Sequence, residues 1–571
     1  MILPPPGHKS APSPKHKRRC GAKPTLFDPD PLSQHYASRL EGGYDCVDRI
    51  VLNAYFLLAQ SPGGFRSWWR LLYGSDKDLD NAHLMRMAGR FSRRLRAWAN
   101  KNDIPVIDCN RGERKHDVAE QYLPSDGDQF GVFCVIVGRA PFPVWDVRRF
   151  GERGIDIRRK KAQPHVNHYS FHILDPEWGW LTIKLCGHPP FTAQIMLNGH
   201  EYVARRARKK KIGFTKEGNC FTETSNAAGL AQVADTLRSD NAIGRLKQVC
   251  ECWIYSACLC FALDLDEQQR TGFRYAYSVY QAEYSRNLVF TDGRVMDQVF
   301  QGLIDRTRAP LNIRTVKTIF GIKQRRRRYN KKEPVRFEVV VERPEYDLTV
   351  FKVHCGRLTL KIYTKGERVL RIEVIAHNTV DLRCGRQLHW FPEIVARLVA
   401  ILDRFLEVLH SVDVTWIDDG TLDHLPQPSQ IGRTRVGGVD INKPRMRAVM
   451  EAVIGLSPSP QGFGIAALAA RVGEITGLPY QSRQAAYDLK KLRGKGLVRK
   501  IEHTRCWEAT AVGLKTMAGL VVLREKVMKP LLAGIVGQPG PKPKECGVLE
   551  SHYQVIRCEM HSLFQTLKIA V

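Results

Sequence analysis

The last quarter of the chain constrains the fold more than any other segment. Its hydrophobic pattern predicts three helices, two short strands and a long apolar helix, at residues 446–456, 464–472, 481–492, 497–501, 506–509 and 511–529. In the third helix, Ala486, Leu489 and Leu492 recur at a spacing that turns them toward a core. The polar residues that we expect on the exposed face of this helix are Arg483, Gln484, Tyr487, Lys490 and Lys491.

This pattern resembles MarR-like winged-helix DNA-binding domains, including the sequence Thr-Ala-Val-Gly at 510–513, where the last helix begins. The resemblance implies a winged helix-turn-helix whose third helix enters the major groove of duplex DNA. It also implies that the hairpin, which carries Lys500 and Arg505, lies along the DNA backbone. A winged helix used only for protein contacts is the alternative. MarR-type proteins dimerise through their terminal helices, so residues 511–529 form either a homodimer contact or a contact with the core.

The charge balance of the chain favours a polyanionic partner. The sequence holds 88 Lys and Arg against 58 Asp and Glu, which gives a formal net charge of +30. An excess of this size attracts nucleic acid through long-range steering and counterion release. The positive charges are spread along the chain, so we expect an extended footprint on DNA or RNA. The alternative is a basic protein whose scattered charges have no common ligand.

Cysteine usage and hydropathy indicate a cytoplasmic protein. The 15 cysteines are an odd number, and the N-terminus lacks the apolar segment of a secretory signal, so we expect free thiols in a reducing compartment. The longest apolar run, at 253–263, is too short to span a bilayer, so no membrane partner is expected.

A chain of 571 residues is too long for one hydrophobic core, and its pattern predicts an α+β multidomain protein. The motif G-x-L-T-[IL]-K-[LI] occurs at 179–185 and again at 356–362, each time followed by a second strand. If this is a true repeat and not a chance similarity, the centre of the chain consists of two related halves, each a twisted β-sheet backed by helices. The predicted segments are a disordered basic arm (1–35), a mainly helical N-terminal domain (36–128), the first α/β half (129–265), the second α/β half (266–410), a linker (411–443), the winged helix-turn-helix (444–535), and a linker with a C-terminal helix (536–571).

Two further groups of arginines are candidates for phosphate contacts. A predicted amphipathic helix at 84–98 carries Arg90, Arg93 and Arg94 on its polar side. A run of arginines between the two predicted halves consists of Arg325, Arg326, Arg327 and Arg328. Such residues either bind the nucleic-acid backbone or form a solvated surface.

The segment 272–290 concentrates tyrosines beside a carboxylate. Tyr280 and Tyr284 stand four residues apart, and Glu283 lies between them. A tyrosine hydroxyl can attack a phosphodiester and form a covalent link when a metal or another cation polarises the phosphate. In the alternative interpretation these tyrosines pack in a core or stack on bases.

A second candidate site lies at the hairpin 358–376. Its first strand ends at Tyr363, and the return strand carries Arg371 and Glu373 on one face, one strand away from Tyr363. Glu373 is a candidate metal ligand and Arg371 a candidate phosphate ligand. A cross-strand salt bridge on a solvent-exposed face explains the same residues equally well.

The sequence His-Tyr-Ser-Phe-His at 168–172 offers a third candidate. In a strand, His168 and His172 share one face with Ser170, a spacing suited to the ligands of a single metal ion. The alternative is that both histidines are hydrogen-bonded members of a core.

Several of these segments resemble known replication proteins. The block 363–374, the Gln-Ala-Glu-Tyr strand at 281–284 and the Asn-Gly-His turn at 198–200 look like distant rolling-circle replication initiators of filamentous phages and plasmids. The chain looks closer still to a large group of uncharacterised bacterial proteins of mobile-element character, which share its plan from about residue 40 to 530. This resemblance covers the central halves and the C-terminal segment.

The resemblance implies an enzyme in which a tyrosine, Tyr363 or Tyr284, nicks one DNA strand. Carboxylates or histidines would hold the Mg²⁺ or Mn²⁺ that such enzymes use. The sequence departs from those families in two places. Three residues separate His168 from His172 where the families have one, and Thr364 stands where they commonly have an acidic residue.

The sequence therefore predicts a basic nucleic-acid-binding protein of mobile-element type, whose core grips single-stranded or structured nucleic acid and whose winged helix binds duplex DNA. The first alternative is a metal-dependent strand-nicking enzyme. Its candidate catalytic residues are Tyr284, Tyr363, Tyr280 and Arg371, and its candidate Mg²⁺ or Mn²⁺ ligands are Glu283, Glu373, His168 and His172. Further alternatives are a protein partner of a structured RNA in a ribonucleoprotein, and a metal nuclease that uses water in place of tyrosine. Convergence of the carboxylates and histidines within ligand distance would favour catalysis.

Overall fold

The computed structural model describes most of the chain between residues 30 and 566. Within this range, the residues outside the description are 111, 126–128, 151–153, 161, 309–315, 319–335, 344–347, 356, 414–418, 460, 503 and 529–546. The candidate phosphate ligands Arg325, Arg326, Arg327 and Arg328 therefore lie outside the described residues.

The described residues form twenty strands and sixteen α-helices. The strands are β1 Leu40–Phe56, β2 Val106–Asp108, β3 Gly131–Pro141, β4 Trp145–Arg149, β5 Ile155–Arg159, β6 His165–Asp175, β7 Gly179–Cys186, β8 Ala193–Asn198, β9 Phe214–Lys216, β10 Phe221–Thr224, β11 Tyr275–Phe290, β12 Val316–Thr318, β13 Arg336–Arg343, β14 Leu348–Cys355, β15 Leu358–Lys365, β16 Val369–Ala376, β17 Ser429–Ile431, β18 Thr434–Val436, β19 Val498–Lys500 and β20 Trp507–Ala509. The helices are α1 Pro31–His35, α2 Pro62–Tyr73, α3 Asn81–Lys101, α4 Lys115–Glu120, α5 Gly199–Lys209, α6 Ala227–Asp235, α7 Asn241–Cys250, α8 Leu265–Thr271, α9 Gly293–Arg308, α10 Phe391–Asp413, α11 Asp419–His424, α12 Pro444–Leu456, α13 Ile465–Thr476, α14 Ser482–Gly494, α15 Ala511–Val522 and α16 Val548–Thr566.

Twelve of the strands form one large mixed sheet, so the protein belongs to the α+β class. The antiparallel strands β1 and β11 are its central pair. Counted outward from this pair, the order is β8, β7, β6, β3, β2 on one side and β16, β15, β14, β13, β12 on the other. All neighbours are antiparallel except the outermost pairs, β2–β3 and β12–β13, which are parallel. Both sides of the sheet have the same strand order and the same directions.

The sheet is continuous through its centre. The sequence predicts two halves with a sheet each, but β1 and β11 pair with each other from Leu40–Phe290 to Phe56–Tyr275. Their ladder of backbone hydrogen bonds joins the two sides into a single sheet. The repeated sequence motif supplies β7 on one side and β15 on the other, and each is the second strand out from the centre.

The N-terminal residues contribute to this sheet. Sequence analysis predicts a mainly helical domain over 36–128, whereas the structure places β1 at the centre of the sheet, with Val47, Ile50 and Leu52 fully buried. The strand was missed because Asp48 and its charged neighbours interrupt the apolar alternation that identifies a strand. Helices α2 and α3 follow β1 in sequence and belong to the same hydrophobic core.

A buried ion cluster orders the first described residues. Arg286 of β11 donates from Nε to Asp45 Oδ1 at 2.9 Å, and its Nη1 lies 2.8 Å from Asp30 Oδ2 and 3.1 Å from Asp403 Oδ1. Asp30 also caps α1, and Asp403 belongs to α10. The cluster therefore joins α1, β1, β11 and α10. The predicted disordered arm extends to residue 35, but these contacts hold residues 30–35 against the sheet.

The helix predicted over 84–98 is α3, and its polar and apolar sides are separated as expected. The Asp80 carboxylate accepts a hydrogen bond from the His83 backbone N–H at 2.7 Å and caps its first turn. The buried residues of α3 are Leu84, Met87, Phe91, Leu95 and Ala99. In the described part of the chain, no single helix is both long and apolar enough to cross a membrane. Only the bent pair Asn241–Phe261 and Leu265–Thr271, with 106° between them, passes that test when taken together.

The C-terminal segment contains α12, α13, α14, the hairpin β19–β20 and α15, in the predicted order. Phe463, which lies before α13, and Trp507 of β20 exchange two backbone hydrogen bonds of 2.8 Å. In α14 the predicted Leu489 and Leu492 are buried, but Ala486 is only half-buried and Ala485 is buried in its place. A further buried position is Asp488. The apolar pattern missed this position because a charged residue occupies it.

Two interactions explain how Asp488 is tolerated inside this core. The Tyr480 hydroxyl donates to Asp488 Oδ2 at 2.7 Å, and Arg445 Nε lies 3.2 Å from the same oxygen.

At the other end of the segment, α15 packs against α10 and α12, and Arg404 of α10 donates to the Ala509 carbonyl at 2.6 Å. The contact of the last helix with the core is observed, and a homodimer contact stays a prediction.

Candidate active site

A polar cluster lies on one face of β1, β11, β16 and β15, opposite the face that carries Arg286. In the register of β15 and β16, Arg371 lies opposite Tyr363, and Glu373 lies opposite Lys361. Alternate residues of a strand share a face, so these four side chains project to the same side of the sheet. The sequence predicts this arrangement for Arg371, Glu373 and Tyr363, and the register confirms it.

Asp48 is the centre of the buried part of this cluster. It lies at a bulge in β1, 2.6 Å from Arg371 Nη2 through Oδ2 and 2.9 Å from His200 Nδ1 through Oδ1. Ser285 Oγ donates to the same Oδ1 at 3.0 Å. Burial alone would raise the pKa of Asp48, but the charges of Arg371 and His200 and the hydrogen bonds from His200 and Ser285 lower it. Asp48 is therefore a carboxylate at neutral pH.

The turn between β9 and β10 covers Arg371. Arg371 Nη1 donates to the Asn219 carbonyl at 2.7 Å and to Asn287 Oδ1 at 3.3 Å. Lys365 Nζ donates to the Asn219 side chain. Arg371 is fully buried, so its guanidinium orients Asp48 and this turn and cannot reach a phosphate from solvent.

Two carboxylates, the buried Glu373 and the half-buried Glu283, lie on the same face of the neighbouring strands β16 and β11. Glu373 Oε2 accepts a hydrogen bond from the Tyr363 hydroxyl at 3.4 Å and lies 3.3 Å from Lys361 Nζ. Burial raises the pKa of Glu283, on the neighbouring strand β11, to about 7, and the negative charges of Glu373 and Asp48 contribute to the increase. Burial is the larger cause of this shift in the pKa of Glu283, and the charge of Glu373 adds to it.

Tyr363 lies at the boundary between the buried and open parts of the cluster. Burial, followed by the negative charge of Glu373, raises the pKa of its hydroxyl well above the usual value, so the phenol is protonated at neutral pH. Lys361 is half-buried beside it, and Arg49 is exposed at the bulge of β1, where its charge opposes the shift in Glu283. The cluster is therefore open to a ligand on the side of Tyr363, Lys361 and Arg49.

Two sets of residues are candidate metal ligands. In the described part of the chain, the side chains whose ligand atoms lie within 4.8 Å of one another are Cys46, Asp48 and His200. Asp48 is already neutralised by Arg371, and burial raises the pKa of the Cys46 thiol, so this group suits a structural ion pair better than a cation. Glu283 and Glu373 fit a divalent cation better, because a cation would relieve the repulsion between the half-buried Glu283 and the buried Glu373.

The other candidate ligands lie elsewhere. His168 and His172 share a face of β6 as predicted, but β6 is four strands from β11, roughly 19 Å at the usual strand spacing. Trp180 Nε1 donates to His172 Nδ1 at 3.2 Å, and His168 Nδ1 donates to a backbone carbonyl at 3.2 Å. Burial lowers the pKa of each histidine to about 4, so both are neutral. The histidines do not converge with Glu283 and Glu373.

Two of the three candidate tyrosines are not in the cluster. Tyr284 is fully buried on the opposite face of the sheet, where its hydroxyl donates to Asp45 Oδ2 at 2.8 Å. Tyr280 is half-buried where β11 and β1 shift register. Tyr284 therefore has no access to a phosphate, because alternation turns it away from Glu283, the residue before it.

The candidate phosphate ligands differ in accessibility. Arg90 is paired inside the fold, with Nη1 2.7 Å from Glu267 Oε1 and Nη2 donating to a backbone carbonyl at 2.6 Å. Arg93 is exposed, and Arg94 is half-buried, 3.9 Å from a carboxylate. In the C-terminal segment, Lys491 is half-buried, and the exposed candidates are Arg483, Gln484, Tyr487, Lys490, Lys500 and Arg505.

Sequence analysis did not identify Asp48, His200 or Lys361 as site residues. A signal was present for Asp48, because an acidic residue inside a long apolar strand requires a buried partner. The partners come from β16 and from the first turn of α5, which the sequence alone does not bring together. No protein-family model, no curated protein and no solved structure matches this chain.

Proposed function

We propose that this protein is a nucleic-acid strand-nicking enzyme in which Tyr363 attacks a phosphodiester of DNA. The observation that supports it is the position of the Tyr363 hydroxyl, 3.4 Å from Glu373 and on the open side of a carboxylate pair. Tyr363 differs from the core tyrosine Tyr284 in that its side chain is only partly buried, beside the exposed Arg49 and the half-buried Lys361. The net charge of +30 supports a polyanionic substrate.

The chain's own residues would act as follows. Lys361 and Arg49 attract the phosphate, and the buried Arg371 orients Asp48. A bond forms between Tyr363 Oη and phosphorus, and the bond from phosphorus to the sugar 3′-oxygen breaks. The phenolic proton passes to Glu373 Oε2, and the departing 3′-oxygen takes a proton from water. A divalent cation such as Mg²⁺ or Mn²⁺, held by Glu283 and Glu373, would polarise the phosphate as a Lewis acid.

The test is covalent capture. The purified protein is incubated with Mn²⁺ and labelled single-stranded, duplex and hairpin DNA, and denaturing electrophoresis detects any protein–DNA adduct. We expect an adduct with the wild-type protein and none with Tyr363→Phe. Tyr284→Phe is the matched control, because this hydroxyl lies on the opposite face of the sheet, and we expect it to form the adduct. Salt-sensitive binding of DNA without an adduct and without cleavage would refute the proposal and indicate a non-catalytic nucleic-acid-binding protein.

We also infer that the C-terminal segment is a winged helix-turn-helix that binds duplex DNA. The order of three helices, a hairpin and a fourth helix supports this, as does the single bridge between Phe463 and Trp507 at the edge of the hairpin. Helix α14 presents Arg483, Tyr487 and Lys490 to solvent, as a recognition helix requires.

We infer in addition that the two sides of the sheet are related copies. Their strand orders are the same, both end in a parallel pair, and the repeated sequence motif occupies the second strand on each side. An approximate two-fold axis between β1 and β11 would relate them, which brings corresponding positions to the same face of the sheet.

A further inference from the structure

A cavity of about 720 Å³ opens on the same face of the sheet as the candidate active site, on the opposite side of the central pair. Its floor contains Asn53 of β1, Lys184 of β7, Gln194 of β8 and Ser278 of β11, and Arg386 lies at its wall. The volume falls within the range of sites that hold a nucleotide-sized ligand.

The position of this cavity corresponds to that of the candidate active site. Lys184 lies opposite Gln194 in the register of β7 and β8, as Lys361 lies opposite Glu373 in β15 and β16. Two residues further along β7, Cys186 stands where β15 has its tyrosine. The lysine is retained on this side, but the carboxylate and the tyrosine are replaced by an amide and a thiol, which removes the groups proposed for catalysis.

The charge of the cavity selects an anion. Its lining contains no Asp or Glu, whereas it contains Lys184 and Arg386. Arg386 Nε is buried and has no hydrogen-bond partner in the described part of the chain. A buried guanidinium nitrogen without a partner is costly, and a phosphate oxygen would satisfy it.

The remaining lining suits a base. Gln194 Nε2 donates to Asn53 Oδ1 at 2.9 Å, which fixes two amides side by side on the cavity floor. Gln387 adds a third amide, and Phe142 supplies an aromatic ring that packs edge-on against His168 at 5.5 Å between centroids. Amides pair with base edges, and aromatic rings stack on base faces.

We propose that this cavity binds one nucleotide of the DNA strand that is cut at Tyr363, with its phosphate on Lys184 and Arg386 and its base against Asn53 and Gln194. The inference rests on the proposed function. Lys184 on β7 and Tyr363 on β15 are five strands apart, roughly 24 Å across the sheet at ordinary strand spacing. A strand bound at both sites therefore spans several nucleotides.

The test measures binding of a fluorescent 12-nucleotide single strand by anisotropy, without divalent cations so that no cleavage occurs. Lys184→Gln removes the proposed phosphate ligand, and Gln194→Glu introduces the carboxylate that the other side of the sheet carries. The matched controls are Lys209→Gln and Gln248→Glu, which make the same charge changes at exposed helix positions. We expect each cavity variant to raise the Kd about tenfold. Because Lys184→Gln removes one phosphate contact, the slope of log K against log salt concentration should also be about 0.7 less steep than that of the wild-type protein.

The outcomes separate this inference from the proposed function. Wild-type affinity and salt slope in both cavity variants would overturn the inference, even if the wild-type protein forms the Tyr363 adduct. Weaker binding in both variants with no adduct from the wild-type protein would refute nicking and support the cavity as a nucleotide site. Competition by a free deoxynucleoside monophosphate as strong as that by the 12-mer would show that the ligand is a free nucleotide, and this would overturn the inference. Failure of the wild-type protein to bind the strand would overturn both.

Discussion

Substitution of Glu283 by Gln is expected to stabilise the protein at high pH. The wild-type carboxyl has its pKa raised to about 7 by burial and by the charges of Glu373 and Asp48. A carboxyl with a raised pKa contributes stability that is present below its unfolded pKa and is lost as the pH rises through its folded pKa. Glu283→Gln removes this loss, because the amide does not ionise and Glu373 is then the only charged member of the pair.

The magnitude follows from the two pKa values. With an unfolded value of about 4.3 and a folded value of about 7, the free energy of unfolding of the wild-type protein falls by about 2.5 kcal/mol relative to Glu283→Gln between pH 5 and pH 8. A cation held between the carboxylates would reverse the order at pH 8, because it binds the folded wild-type protein alone.

The assay is urea unfolding of both proteins at pH 5, 6.5 and 8, repeated at pH 8 with 1 mM MnCl₂ (a dose on the order of typical metal affinities). Glu120→Gln, at an exposed position of α4, is the charge-matched control. We expect the free energy of unfolding of the variant to rise relative to that of the wild-type protein as the pH rises. We expect Mn²⁺ to stabilise only the wild-type protein and the control. Parallel pH profiles, or equal stabilisation of all three proteins by Mn²⁺, would show that Glu283 and Glu373 do not form the pair described above.

Two other substitutions test separate parts of the fold. Arg286→Met leaves Asp30, Asp45 and Asp403 without their cation. We expect it to lower the free energy of unfolding in urea titrations by about 3–5 kcal/mol, which is the cost of breaking a buried ion pair. A loss below about 1 kcal/mol, which is typical of an exposed ion pair, would contradict the buried cluster. Lys490→Ala in α14 should weaken binding of duplex DNA severalfold while single-strand binding is unchanged, as measured by anisotropy with both probes, and equal loss for both probes would contradict a winged helix dedicated to duplex DNA.

The parts of the fold that the sequence predicts are those with local periodicity. The C-terminal helices were expected within a few residues because their apolar residues repeat at helical spacing. The common face of Tyr363, Arg371 and Glu373 was expected because a tight hairpin fixes register over a short loop. Ala486 was placed in the core wrongly, since the buried residue at this turn is its neighbour Ala485, and the buried charged residue Asp488 obscured the helical repeat.

The rest depends on contacts between distant segments. Asp48 and His200 join Arg371 only because β1 pairs with β11 and α5 begins directly after β8. The same pairing decides that Glu283 is at the site and Tyr284 is not. Periodicity gives two alternating faces for a strand, but only the tertiary partners determine which face carries the site.

The central pair of the sheet has a consequence for how the chain is made. Tyr284 binds Asp45 across a separation of 239 residues, so the ribosome releases β1 long before β11 exists. At ordinary elongation rates this interval is roughly 10 to 50 s. During it, one edge of a long apolar strand has no partner, and such edges pair readily with other chains. Fragments that end before β11 should therefore aggregate, and a nascent-chain chaperone that covers β1 should improve the yield of the folded protein.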